Sequence, residues 1–152
     1  MNCADAGLHY PVLGFTRDLQ IWGFKDLDAL TRCGPRTLRE NYQADMELID
    51  ADGRRWRVRT FKRIGRAGSW LSLLLPFGPP QSRIEHELEA MEPVSIQEVQ
   101  RRTCASMEAF SENYFDAGER EAEFAPLLAQ VNRTRKIADI YELLQPDTFE
   151  PH

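Results

Sequence analysis

Two regions of the chain alternate apolar and polar side chains with a period of two, and the last third repeats its apolar positions every three or four residues. The first period belongs to strands and the second to helices. Met46 to Asp50 and Arg54 to Ile64 flank Asp52-Gly53, a dipeptide with a strong hairpin preference. A two-residue turn there sets Asp50 opposite Arg55 and Ile49 opposite Trp56. Trp56, Val58 and Thr60 then share one face, and Arg55, Arg57 and Arg59 the other. A three-residue turn would shift these pairs by one. Gly68 to Leu75 is almost continuously apolar and predicts a central strand buried on both faces, stopped by Pro76 and Gly78-Pro79-Pro80. Arg83 to Ala90 sets Ile84, His86, Leu88 and Ala90 on one side and Arg83, Glu85, Glu87 and Glu89 on the other. A capping box from Ser82 to Glu85 and the spacing of Ile84, Leu88 and Met91 offer a helix instead, but the clean alternation favours a fourth strand. In one sheet with the hairpin, its glutamate row would offset the arginine row, and both rows would be structural.

Beyond residue 93 the pattern is helical. Ser95 and Glu98 form a capping box, Val94 and Val99 a hydrophobic staple, and Ile96, Val99, Thr103, Met107, Phe110 and Tyr114 continue the stripe. Gly118 is placed to end this helix or the turn after it. Phe124, Leu127, Leu128 and Val131 outline a second helix with Pro126 in its first turn. Ile137, Ile140, Tyr141 and Leu144 outline a third, capped by Thr134 and stopped before Pro146. In the first 45 residues, Tyr10 to Phe15 and Leu19 to Phe24 predict short strands, and Asp26 to Arg32 and Pro35 to Tyr42 short helical turns. Strands first and helices last predict a single α+β domain over residues 1–152. Its antiparallel sheet, of about four to six strands from the N-terminal two thirds, packs with about three helices from the C-terminal third.

Composition changes this picture little: 152 residues at 42% hydrophobic and 28% charged suit one folded domain and exclude collagenous or disordered classes. No apolar run approaches the length of a membrane span, and the N-terminal segment has neither a signal peptide's nor a transit peptide's pattern, so a cytoplasmic protein with no membrane partner is expected. Charge matters more. The net value of −5 conceals 12 basic and 9 acidic residues in 1–81 against 7 basic and 15 acidic in 82–152. Seven of the basic residues lie between Arg54 and Arg66, but the acidic remainder would repel phosphates, and no nucleic-acid partner is expected.

Candidate chemistry is sparse. Cys3, Cys33 and Cys104 are odd in number and widely spaced, which predicts free thiols, with Cys33 and Cys104 as buried small hydrophobes. A cysteine nucleophile would need His9, His86 or His152 beside it. His86 falls on the apolar side, where a histidine with a satisfied nitrogen is commoner than a metal ligand. Gly14, Gly65 and Gly68 make no phosphate loop, and neither cofactor nor metal site is expected. One segment looks built for a partner: Glu112, Asp116, Glu119, Glu121 and Glu123, with Glu108 a turn earlier, surround Tyr114 and Phe115. A basic protein could dock there. The plainer alternative is that the aromatics pack beneath the helices and the acids keep the loop soluble.

Four segments, LDALTRCGPRTLRENY, MELIDADGRRWRV, FDAGERE and KIADIYELL, carry a resemblance over about Leu27 to Leu144. In this arrangement the chain resembles small uncharacterised bacterial proteins of the polymorphic-toxin immunity type, departing from them in its arginine content and at Phe115-Asp-Ala-Gly118. The resemblance implies a bacterial cytoplasmic protein that neutralises a cognate basic toxin by direct binding, with no catalytic residues. The expected partner site is Glu112, Tyr114, Phe115, Asp116, Glu119, Glu121 and Glu123. The alternatives are a small-molecule enzyme of unrecognised type with Cys33, Cys104 or His86 in its pocket, or a non-catalytic regulatory subunit.

Overall fold

The computed structural model describes residues 1–67, 81–114 and 120–146, the side chains of Asn113, Arg120 and Glu121 excepted. Among these, the N-terminal third builds β1 (Val12–Phe15), β2 (Ile21–Phe24) and β3 (Arg32–Cys33), with three short helices, α1 (Cys3–Ala6), α2 (Leu27–Leu30) and α3 (Pro35–Glu40). Local caps explain the helices. Asn2 and Asp26 accept the N–H groups of Asp5 and Ala29, each at 2.8 Å, and Pro35 opens α3 where its missing N–H costs nothing. β4 (Glu47–Ile49), β5 (Arg55–Arg66) and β6 (Ser82–Met91) complete a six-stranded antiparallel sheet in the order β2-β1-β4-β5-β6-β3. Helices α4 (Ile96–Ala109), α5 (Arg120–Arg133) and α6 (Ile137–Leu144) follow, with one 3₁₀ turn at Ser111–Asn113. The architecture is α+β, as the order of periods predicts.

The sheet is covered on both faces at its β1–β2–β4 end, and side-chain alternation sorts residues between two cores. Val12, Trp22, Phe24, Leu48, Trp56, Val58 and Leu88 join Met46, Leu30, Cys3 and Leu8 on one face. Leu13, Phe15, Ile21 and Ile49 point to the other, where Val99 and Met107 of α4, Val131 of α5 and Ile137, Ile140, Tyr141 and Leu144 of α6 close over them. Each fully buried aliphatic or aromatic side chain of this kind contributes about 1.5–3 kcal/mol. Gly23 lets the helical layer approach: a Cβ there would lie 2.6 Å from Pro146 Cγ and 2.7 Å from Tyr141 Cε2. No helix among the described residues is long and apolar enough to cross a membrane.

The hairpin forms, with its register displaced by one. Ile49 pairs with Arg55 and Leu48 with Trp56, because Asp50 faces Arg54 across a three-residue turn. The buried Asp50 carboxylate accepts the N–H groups of Asp52 and Arg54 at 3.0 Å each, and Gly53 takes the left-handed position at φ 84. Trp56 and Val58 are buried as expected, but a bulge at Arg59 flips the alternation, exposing Thr60 and turning Phe61 towards the core.

Residues 82–91 are a strand, with Ile84, His86 and Leu88 buried and Glu85, Glu87 and Glu89 exposed. The two charged rows meet in one sheet, Arg57 opposite Glu89 and Lys62 opposite Glu85, with an Arg59–Glu89 ion pair at 3.2 Å. In the helical layer Ser95 caps α4, accepting the Glu98 N–H at 3.2 Å. Two details differ from the sequence pattern. α5 starts at Arg120, a turn before its apolar stripe, so Pro126 lies inside the helix. Lys136, not Thr134, precedes α6, because the Thr134 hydroxyl donates to the Val131 carbonyl at 2.6 Å and ends α5 instead. The expected central strand at 68–75 and the turn at Gly118 lie outside the described residues.

Candidate functional site

The acidic segment begins where α4 ends. Glu108 is exposed on the last turn of α4, Glu112 on the 3₁₀ turn and Glu123 on the first turns of α5. Tyr114 is partly buried against the helical core, and burial pushes its phenol pKa above the ordinary value. This tyrosine therefore packs into the fold more than it projects from it. Phe115, Asp116, Glu119 and the Glu121 side chain lie outside the described residues.

Several arginines elsewhere are engaged with glutamates of the fold. Glu47 alternates with Ile49 and so faces α4, where its Oε2 accepts from Arg102 at 2.5 Å and Arg55 at 3.3 Å, and its Oε1 from Arg57 at 3.5 Å. Partial burial would raise its pKa, but the hydrogen bond and charge of Arg102, helped by Arg55, outweigh this and hold the carboxyl below its usual value. One turn earlier, Glu98 accepts from Arg101 at 2.6 and 2.8 Å and from Arg102 at 2.9 Å, and these bonds bring its pKa down to about 2. The Glu98–Arg102 spacing is legible on the helix. The partner 55 residues away, Glu47, has no sequence signature.

The residues weighed for catalysis are distributed over separate elements. Cys33 is buried on β3 opposite Ser82 as expected, whereas Cys104 on α4 is only partly buried and contacts Asn132 at 3.7 Å. His86 is buried on β6, four residues beyond Ser82, and meets a different thiol. Its Nε2–H donates to Gln43 Oε1 at 2.5 Å, and its Nδ1 accepts from the Cys3 thiol at 3.4 Å, while Phe61 stacks on the ring. Burial moves both groups away from ionisation, the Cys3 pKa up to about 12 and the His86 pKa down to about 4. A neutral thiol bonded to a neutral imidazole is a satisfied core pair, not an activated nucleophile. Cys3 and His86 stand 83 residues apart, so no spacing rule could have joined them.

A third cluster, His9, Asp50 and Asp52, brings three ligand-type atoms together. Asp50 is already saturated, since besides the Asp52 and Arg54 N–H groups it accepts from the His9 N–H at 3.2 Å and the Arg54 guanidinium at 2.7 and 2.9 Å. His9 Nδ1 pairs with Asp52. The cluster is a brace for the hairpin turn.

Finally, a cleft of about 360 Å³ opens between the β1–β2 turn and α4, with Phe15, Leu19 and Ala105 beside Arg17, Arg101 and Arg102. No residue pattern signals it, because its walls come from three separate segments. The chain matches no protein-family model, no curated protein and no solved structure.

Proposed function

We propose that the protein is an immunity-type binding protein of the bacterial cytoplasm, neutralising a cognate basic toxin by direct binding. The observation that carries this reading is the contrast in how the two kinds of charge are used. Within the basic run, Arg54, Arg55, Arg57 and Arg59 each pair with a carboxylate of the fold, so part of its charge is offset from within. Glu108, Glu112 and Glu123 are exposed near the α4–α5 connection and have no ion pair among the described residues. The field left to steer a partner there is negative, and a basic surface is its complement. Tyr114, packed on the helical core, anchors the 3₁₀ turn that carries Glu112. Inhibition follows from occupying the toxin's own surface, with no turnover required.

Affinity capture of the tagged protein from its native cytoplasm, with the product of any adjacent gene included as bait, tests this. One stoichiometric, salt-sensitive basic partner supports it. A repeatedly empty capture contradicts it.

A further inference from the structure

We propose that the cleft between the β1–β2 turn and α4 is a binding site for a small aliphatic carboxylate, an inference that stands apart from the toxin-binding reading. The starting point is Leu19. The Thr16 N–H donates to the Gln20 carbonyl and the Leu19 N–H to the Thr16 carbonyl, both at 2.9 Å, which closes a three-residue turn. The last residue of such a turn takes a left-handed conformation, a place for Gly or Asn, and Leu19 adopts it at φ 68. Leu19 is also 59% exposed. Neither the turn nor the core therefore calls for a leucine, and both would be served better by a small polar residue.

The cleft supplies the missing purpose. Leu19, Phe15 and Ala105 form an apolar wall suited to a short hydrocarbon chain, within a volume of about 360 Å³, in the usual range for ligand sites. The charged part of the lining favours an anion. Among the described residues Arg17 makes one hydrogen bond, at 3.5 Å to the Asn41 carbonyl, and Arg101 directs two of its five donors at Glu98. Of the two lining carboxylates, Asp45 and Glu47, the second is already countered by Arg55 and Arg57 from outside the cleft as well as by Arg102. Free guanidinium donors beside an apolar wall match a carboxylate head on an aliphatic tail, and an alkylammonium would meet like charge instead.

Calorimetric titration of the full chain with hexanoate, and with hexylammonium as the opposite charge on the same tail, tests the site. Saturable 1:1 binding of hexanoate without binding of hexylammonium is expected, with Kd rising about tenfold in Arg17→Gln. Leu19→Asn should weaken hexanoate at least as much while melting at or above the wild-type temperature, since it relieves the turn; Leu19→Gly provides the same comparison by a second route. Absence of saturable hexanoate binding, equal binding of hexylammonium, unchanged affinity in these variants, or a lowered melting temperature in both leucine variants would each overturn the proposal.

Discussion

His86 makes stability depend on pH in a window where few other groups titrate. Its imidazole is 1% exposed and neutral between Cys3 and Gln43, and burial lowers its pKa from the ordinary 6.5 to about 4. Below pH 6.5 the unfolded chain takes a proton that the folded chain refuses until about pH 4. The unfolded state thus binds more protons across this interval, and stability must rise with pH through it. The contribution is complete above about 6.5 and is lost progressively as pH falls towards 4. At about 1.4 kcal/mol per tenfold change in proton affinity, the loss totals about 3 kcal/mol. Glu47 and Glu98, whose pKa values lie below the ordinary 4.5, lose their stabilisation only at more acid pH, so the interval from 4.5 to 6.5 reports chiefly on histidine. Urea unfolding at several pH values in this interval, on the wild type and His86→Gln, measures the effect. The variant keeps a neutral polar group between the same partners, and its stability should be much flatter with pH even if lower at pH 7. Equal slopes in the two proteins, or a flat wild type, would refute the reasoning.

Two further substitutions probe how the layers are held. Gly23→Ala places a methyl within 2.6 Å of Pro146 and 2.7 Å of Tyr141 and should destabilise by about 1–3 kcal/mol as α6 is pushed from the sheet, measurable as a lowered urea midpoint. Asp50→Ala leaves the N–H groups of His9, Asp52 and Arg54 and the Arg54 guanidinium without their common acceptor, and should cost about 1–3 kcal/mol. Early hydrogen exchange at Asp52 and Arg54 would show that the loss begins in the hairpin turn, whereas unchanged protection would remove the brace from the explanation.

Periodicity carried most of the sheet and the helical layer, because alternation in β6 and the three-to-four spacing of α4 and α6 are set by which face is buried. What it missed is physical in each case. The hairpin register turned on whether Asp50 would accept the Asp52 and Arg54 N–H groups, a side-chain bond invisible to residue spacing. Thr60 went to the wrong face because a bulge at Arg59 added one residue to β5. α1 and β3, of four and two residues, are too short to show a period and exist through a cap and through pairing with β6. The opposed charge rows were legible as a possibility, and the sheet makes them neighbours. The Glu47–Arg102 link, the Cys3–His86 pair and the cleft beside Leu19 each join residues distant in sequence, and only the fold brings them together.

The most direct measurement is the rate of association between this protein and the basic partner proposed for it, taken at low and at physiological salt. Wild-type protein should associate quickly at low salt and several-fold more slowly at physiological salt, and Glu108→Lys, Glu112→Lys and Glu123→Lys combined should slow it by about tenfold or more while the fold is retained. A complex whose association ignores both salt and charge reversal, or no complex with any basic partner, would contradict electrostatic capture by the acidic segment.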